Sequence, residues 1–99
     1  MKIETGKTYT MRMSYGEEIV GKITAMDADT YTIAKPLSVV PGREGIQLMN
    51  SLFTADPESD ITVNKSSVIM VAKIRDEVLD SYVEATTGIK PVRSSILMG

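Results

Sequence analysis

Two short polar segments of this sequence carry the side chains best suited to binding or activating a ligand. The first is Asp27-Ala28-Asp29, followed closely by Tyr31, and the second is Asn64-Lys65. Two carboxylates suit general acid–base catalysis or a cation, an aromatic ring can stack on a nucleobase, and an ammonium can neutralise a phosphate. The same residue types also form ordinary turns, because aspartate and asparagine side chains bond their own backbone. Both interpretations stay open at this stage, and Tyr31 fits a strand core as well as a stacking site.

The composition removes the commonest catalytic designs. The 99 residues include no Cys and no His, which excludes disulfides, thiol nucleophiles, imidazole bases and the usual zinc sites. An enzyme built on Asp27 and Asp29 would need a metal and further ligands, and the sequence offers none at a recognisable spacing. We therefore expect a protein without catalysis and without a cofactor.

Charge and hydropathy limit the partners. The net charge is −2 and the sequence pI is about 5.0, whereas proteins that bind nucleic acid through bulk electrostatics are usually basic. Any nucleic-acid site must therefore be local. No apolar run is long enough to span a bilayer, and the first residues lack the apolar segment of a signal peptide. We expect a cytoplasmic protein with no membrane partner.

Alternating apolar residues predict the strands that position the two polar segments. Tyr9, Met11 and Met13 share one face of a predicted first strand. The stretch Gly16–Ala34 reads as a bent strand, a turn containing the two aspartates, and a return strand. Gly21, in the middle of that bent strand, predicts a sharp bend or a close approach between backbones.

The second half of the chain alternates between loops and short strands. Pro36 is predicted to break the third strand or to mark an edge. Residues 41–60 read as a long loop between two core strands, although 46–53 fit a short helical turn about as well as a strand. Residues 61–63 and 68–72 are the last predicted strands.

A helix is predicted at about 74–87, followed by a tail at 88–99. Asp76 and Glu77 favour its first turn through the helix dipole, and Gly88 is a plausible stop. Its apolar stripe consists of Ile74, Val78, Leu79, Tyr82 and Val83. The helix is expected to pack against the domain or to project towards a protein partner.

These elements predict one mostly β domain covering 1–99. We expect a small, strongly bent, five-stranded antiparallel barrel at about 7–73 with the C-terminal α-helix added. The methionines of the strands are interpreted as core residues that fill irregular gaps; they are Met11, Met13, Met26, Met49 and Met70.

The stretch Gly16–Ala34 resembles the first signature of the Sm/LSm family, which includes the bacterial Hfq proteins. The positions that match without a gap are Gly16, Ile19, Gly21, Ile23, Met26 and Asp27. Residues 61–71 are similar to the second signature, with Lys65 as its basic residue but without the Arg-Gly pair. The helix follows the strands here, whereas typical members carry one before the first strand. These departures indicate a divergent branch of the family, such as a virus-encoded one.

The resemblance implies an Sm-like (SH3-like) barrel that forms a homo-oligomeric ring of about five to seven subunits and binds single-stranded RNA or DNA. Asp27 would fix the nucleotide-binding loop. Asp29 occupies the position of the family's stacking residue, which an aspartate cannot be, so Tyr31 is the expected stacking residue. Asn64 would read a base edge and Lys65 a phosphate.

Two other functions remain as alternatives. A non-catalytic adaptor would bind protein partners through the helix, the tail or the loop at 41–60, and the acidic pI favours it. An enzyme using Asp27 and Asp29 would require a bound metal ion. RNA binding that falls with salt and depends on Lys65 would favour the first interpretation over both.

Overall fold

Six antiparallel strands and one helix make up residues 1–88, the part of the chain that the computed structural model describes. Of the predicted tail at 88–99, residues 89–99 lie outside the described residues. The strand order is β4-β3-β2-β1-β6, and β5 pairs with β3 on the edge that also carries β4. The elements are β1 (Lys7–Met13), β2 (Glu18–Met26), β3 (Thr30–Gly42), β4 (Gly45–Asn50), β5 (Asp60–Asn64), a 3₁₀ turn (Lys65–Ser67), β6 (Val68–Lys73) and α1 (Asp76–Thr87).

The mostly β, bent antiparallel fold with a C-terminal helix is confirmed, with one strand more than expected. The additional strand is β4, which lies where a loop was predicted, whereas β5 corresponds to the predicted strand at 61–63. β4 and β5 pair with successive parts of β3. The 3₁₀ turn connects β5 to β6, and no ladder joins those two strands within 1–88, so the sheet curves without closing.

The prediction of one loop over 41–60 is wrong for its first half. β3 continues past Pro36 to Gly42 and forms a hairpin with β4, so the loop proper is 51–59. The strand passes Pro36 because that residue lies in a bulge, where no N–H is needed for the ladder. In β4 only Leu48 is half-buried and the other five residues are exposed, so the apolar residues at 46, 48 and 49 gave little indication of a strand.

Gly21 lies at a bulge between β2 and β3, as its position in the sequence predicted. Val20 pairs with Leu37 and Lys22 with Ala34, so Gly21 alone opposes two residues of β3. A Cβ atom at Gly21 would lie 2.3 Å from the Cγ2 atom of Ile33. The buried Ile33 side chain therefore occupies the space that a side chain at Gly21 would need, whereas the nearest backbone atoms lie at ordinary contact distance.

Two apolar clusters lie on the two opposite faces of the sheet. The inner cluster contains Tyr9, Met11, Met13, Ile19, Ile23 and Ile33. The outer cluster contains Val20, Leu37, Ile74 and Tyr82, with Val78, Leu79 and Val83 of α1 packed around it. β2 supplies both clusters, because consecutive residues of a strand point to opposite faces.

The helix packs on the outer face of the sheet, so it does not project from the domain. It runs from Asp76 to Thr87 and ends, as predicted, at Gly88, whose φ of 77° and N–H bond to the Glu84 carbonyl oxygen (2.8 Å) make a left-handed cap. Within 1–88, no helix is long and apolar enough to cross a bilayer.

The methionines divide by strand position. Met11 and Met13 are buried as predicted, but the assignment of the other three to the core is wrong. Met26, Met49 and Met70 are 40%, 43% and 62% exposed. They lie at the end of β2 and on the outer strands β4 and β6, where fewer elements are available to cover them.

Candidate functional site

The Asp27 carboxylate organises the turn between β2 and β3. Its Oδ1 atom accepts hydrogen bonds from the backbone N–H groups of Asp29 (2.8 Å) and Thr30 (2.7 Å) and from the Thr30 hydroxyl (3.0 Å). The Asp29 N–H bond, the two bonds from Thr30 and the charge of Lys65 together lower the pKa of Asp27. The ionised form of the carboxylate is therefore favoured, and its hydrogen bonds stabilise the conformation of the turn.

The second polar segment lies directly beside this turn. The backbone N–H of Lys65 donates to the carbonyl oxygen of Asp29 (2.8 Å), and Asn64 pairs with Thr30 where β5 meets β3. Tertiary pairing thus brings together two segments that are far apart in the sequence. From the residues alone these segments were separate candidates, and only the Sm/LSm resemblance implied that they act together.

Tyr31 and Lys65 are in direct contact at this junction. The Tyr31 ring is half-buried and packs against the inner apolar cluster. The Lys65 ammonium lies over the ring, with its Nζ atom 5.1 Å from the ring centroid, within the range of a cation–π contact. Met26, which pairs with Tyr31 across the hairpin, leaves part of its thioether chain exposed next to the ring.

The remaining predicted site residues differ in the hydrogen bonds that they make. Asn64 is exposed and makes no side-chain cap to the 3₁₀ turn that follows it. Asp29 is exposed. Its backbone N–H donates to Asp27 within the turn, and its carbonyl oxygen accepts the Lys65 N–H bond that joins the two segments. Thr30 was not predicted, although it donates twice to Asp27; the spacing Asp-x-x-Thr is the sequence signal that would have indicated it.

The group of residues is suited to holding a planar, polar ligand. It brings an aromatic ring, an ammonium, an amide and an ionised carboxylate to one rim of the sheet. Asp27 and Asn64 are exposed there, and Tyr31 and Lys65 are half-buried. Within residues 1–88, no three Asp, Glu, His or Cys side chains are grouped in a way that would hold a metal ion. Oδ1 of Asp27 is already used by the turn, so the structure gives no support to a metal site on this aspartate pair.

A second concave region lies beside the end of α1 and was not predicted. This groove, of about 300 Å³, is bordered by the bulge of β3, the 51–59 loop and the last turn of α1. Lys35 donates to the Thr86 carbonyl oxygen (3.1 Å), and its Nζ atom lies 3.9 Å from the Glu58 carboxylate. Leu52 and Phe53 on the loop are 54% and 76% exposed.

No protein-family model matches the chain, and no curated protein matches it significantly. The function is therefore inferred from the site itself.

Proposed function

We propose that this chain is a non-catalytic, ring-forming cytoplasmic protein that binds single-stranded RNA, or single-stranded DNA, at the junction of its two polar turns. The observation that carries the proposal is the junction itself, where the turn shaped by Asp27 holds the backbone of Lys65 and places its ammonium over Tyr31. The resemblance of Gly16–Ala34 to the Sm/LSm signature supports the same function.

The chemistry of the junction fits a nucleotide. Stacking of a base on an aromatic ring contributes about 1 to 3 kcal/mol and is available to every base. Asn64 offers a donor and an acceptor to a base edge, and Lys65 offers a charge to the phosphate that follows. The negative net charge of the single chain matters less for this function in a ring. Each subunit would contribute its own Lys65, so that these lysines lie close together around one small circle.

The outer strands support assembly into a ring. Within 1–88, β4 and β5 pair only with β3, and β6 pairs only with β1, so each has an outer edge. These strands also carry exposed apolar side chains, Ile46 and Met49 on β4 and Ile69 and Met70 on β6. Exposed edges with apolar side chains favour pairing with another chain.

An adaptor that binds a protein partner is the alternative function. The observation that favours it is the groove beside α1, with the exposed side chains of Leu52 and Phe53 at its border. Large exposed apolar side chains beside a concave surface are typical of protein contact sites.

Native mass spectrometry of the purified protein, with and without oligouridine, tests the proposal. A closed ring that takes up oligouridine is the expected result. A ring that takes up no oligonucleotide would favour the adaptor. A monomer that takes up none would contradict both parts of the proposal.

Substitutions at the junction test which residues bind. We expect Tyr31→Ala to weaken oligouridine binding by about 1 to 3 kcal/mol, because the stacking surface is lost. Tyr31→Leu, which keeps apolar volume against the inner cluster, should lose the same binding with less effect on folding. Lys65→Ala should weaken binding at low salt and reduce the salt slope by about one. Lys73→Ala, at the other end of β6, removes the same charge and should leave binding near wild type.

A further inference from the structure

The ring of Tyr31 is not open in the structure. One part of the side chain packs against the inner cluster, and the Lys65 ammonium lies over the ring. Building on the proposed function, we propose that Lys65 masks the stacking face of Tyr31 in the free protein and is exchanged for a base when a single strand binds.

The backbone around Lys65 is fixed, so the exchange requires movement of the side chain alone. The Lys65 N–H is bonded to the Asp29 carbonyl oxygen, and the residue begins the 3₁₀ turn that leads into β6. Its side chain is a flexible four-carbon stem, and a cation–π contact near solvent is weak enough to be displaced.

Both positions of the ammonium are electrostatically favourable. Over the ring it contacts the Tyr31 π system and lies close enough to Asp27 for its charge to act on that carboxylate. Away from the ring it can pair with the phosphate of the bound strand, while the base takes its place on the ring. Lys65 thus competes with the base for the Tyr31 ring, and it contributes to binding of the phosphate.

This double role predicts opposite effects of one substitution on two probes. Uridine, which has a base but no phosphate, must displace the lysine and gains nothing in return. We expect Lys65→Ala to bind uridine about two- to fivefold more tightly than wild type, which corresponds to the strength of an exposed cation–π contact. Oligouridine should bind the same variant more weakly at low salt, because a phosphate contact is lost.

Proton NMR of the lysine ε-methylene groups observes the exchange directly. In the free protein the Lys65 resonance should lie upfield of the other lysines, since it is over an aromatic ring, and it should move downfield in Tyr31→Leu. Addition of oligouridine to the wild type should also move it downfield. Lys65→Arg assigns the resonance by its disappearance, and Lys73→Ala controls for the lost charge.

The outcomes separate this inference from the proposed function. Wild-type protein that binds no oligouridine overturns the proposed function, and the exchange with it. Oligouridine binding that leaves the Lys65 resonance in place overturns the exchange alone. So does a Lys65→Ala variant that gains no affinity for uridine while wild type still binds oligouridine.

Discussion

The pairing of β2 with β3 is completed by a side-chain oxygen at two places, the bulge at Gly21 and the turn at Asp27. At the bulge, the hydroxyl of Tyr82 donates to the Ala34 carbonyl oxygen (2.7 Å) and accepts from the Lys22 N–H (3.3 Å). At the turn, the Asp27 carboxylate accepts three hydrogen bonds, one from Asp29 and two from Thr30. The first oxygen comes from a distant helix and is buried, whereas the second is local and exposed.

The difference between these two side-chain oxygens indicates the role of the bulge and of the turn. A hydroxyl that replaces backbone bonds inside an apolar cluster couples α1 to the bend of the sheet, so its effect is on stability. A carboxylate on an exposed rim shapes a loop that contacts Lys65 and Tyr31, so its effect is on the binding surface. Substitutions at Tyr82, Gly21 and Asp27 test that division.

Removal of the Tyr82 ring is expected to have the largest effect. Tyr82→Ala deletes an aromatic side chain from the outer cluster and should lower the free energy of unfolding by about 3 to 5 kcal/mol. Denaturant unfolding followed by circular dichroism measures it. A loss below about 1 kcal/mol would mean that the helix does not hold the bulge.

Removal of the Tyr82 hydroxyl alone separates the effect of its hydrogen bonds from the effect of ring packing. Tyr82→Phe keeps the packing but leaves the Ala34 carbonyl and the Lys22 N–H without this partner, which should cost about 1 to 3 kcal/mol. Amide exchange at Lys22 should accelerate in this variant. Unchanged exchange would show that the hydroxyl does not close the bulge.

Addition of one methyl group at Gly21 is expected to have a similar or smaller effect. The new Cβ of Gly21→Ala meets Ile33, which is fully buried and cannot move aside, so we expect a loss of about 1 to 3 kcal/mol by thermal or urea unfolding. Gly42→Ala is the matched control, because its Cβ meets only the exposed side chain of Gln47. Equal losses in the two variants would contradict the special role of the bulge.

Substitution of Asp27 should have the smallest effect on stability and a clear dependence on pH. Its pKa is lowered in the folded protein, so its contribution is present above the ordinary aspartate pKa of about 3.9 and is lost as pH falls through the lower folded value. The difference in unfolding free energy between wild type and Asp27→Ala should therefore shrink below about pH 4.

The conservative variant Asp27→Asn tests the cause of this behaviour. Asparagine keeps an oxygen that accepts the turn bonds but has no charge to titrate. We expect it to retain more stability than Asp27→Ala and to lack the pH dependence. Urea unfolding midpoints of wild type and both variants, measured from pH 3 to pH 7, test these expectations. A pH dependence that survives in Asp27→Asn would assign the effect to another group.

Some features followed from local residue patterns. The alternation of Tyr9, Met11 and Met13 predicted a buried strand face, and the structure buries all three. Gly88 predicted the end of the helix, because a left-handed cap requires little more than a glycine at the right place. Gly21 predicted a bend, since a glycine inside a strand has no side chain to pack and commonly marks a bulge or a close backbone approach.

Other features depended on which elements pack together. The stripe that contains Tyr82 predicted a helix, yet it did not indicate that the hydroxyl would complete the β2–β3 ladder. Met49 and Met70 were predicted to be buried, but hydropathy does not say which strands become the outer ones. The β4 strand was not predicted because its apolar residues at 46, 48 and 49 fit a helical turn about as well as a strand.

A mostly β domain, a bend at Gly21, a turn at Asp27 and a C-terminal helix could be predicted from local residue patterns, because each depends on residues close in the chain. The positions of the helix on the outer face and of Lys65 over Tyr31 became visible only in the folded structure. These contacts join residues far apart in the sequence. They exist because β5 pairs with β3 and α1 packs on the bulge, and no local pattern encodes such pairings.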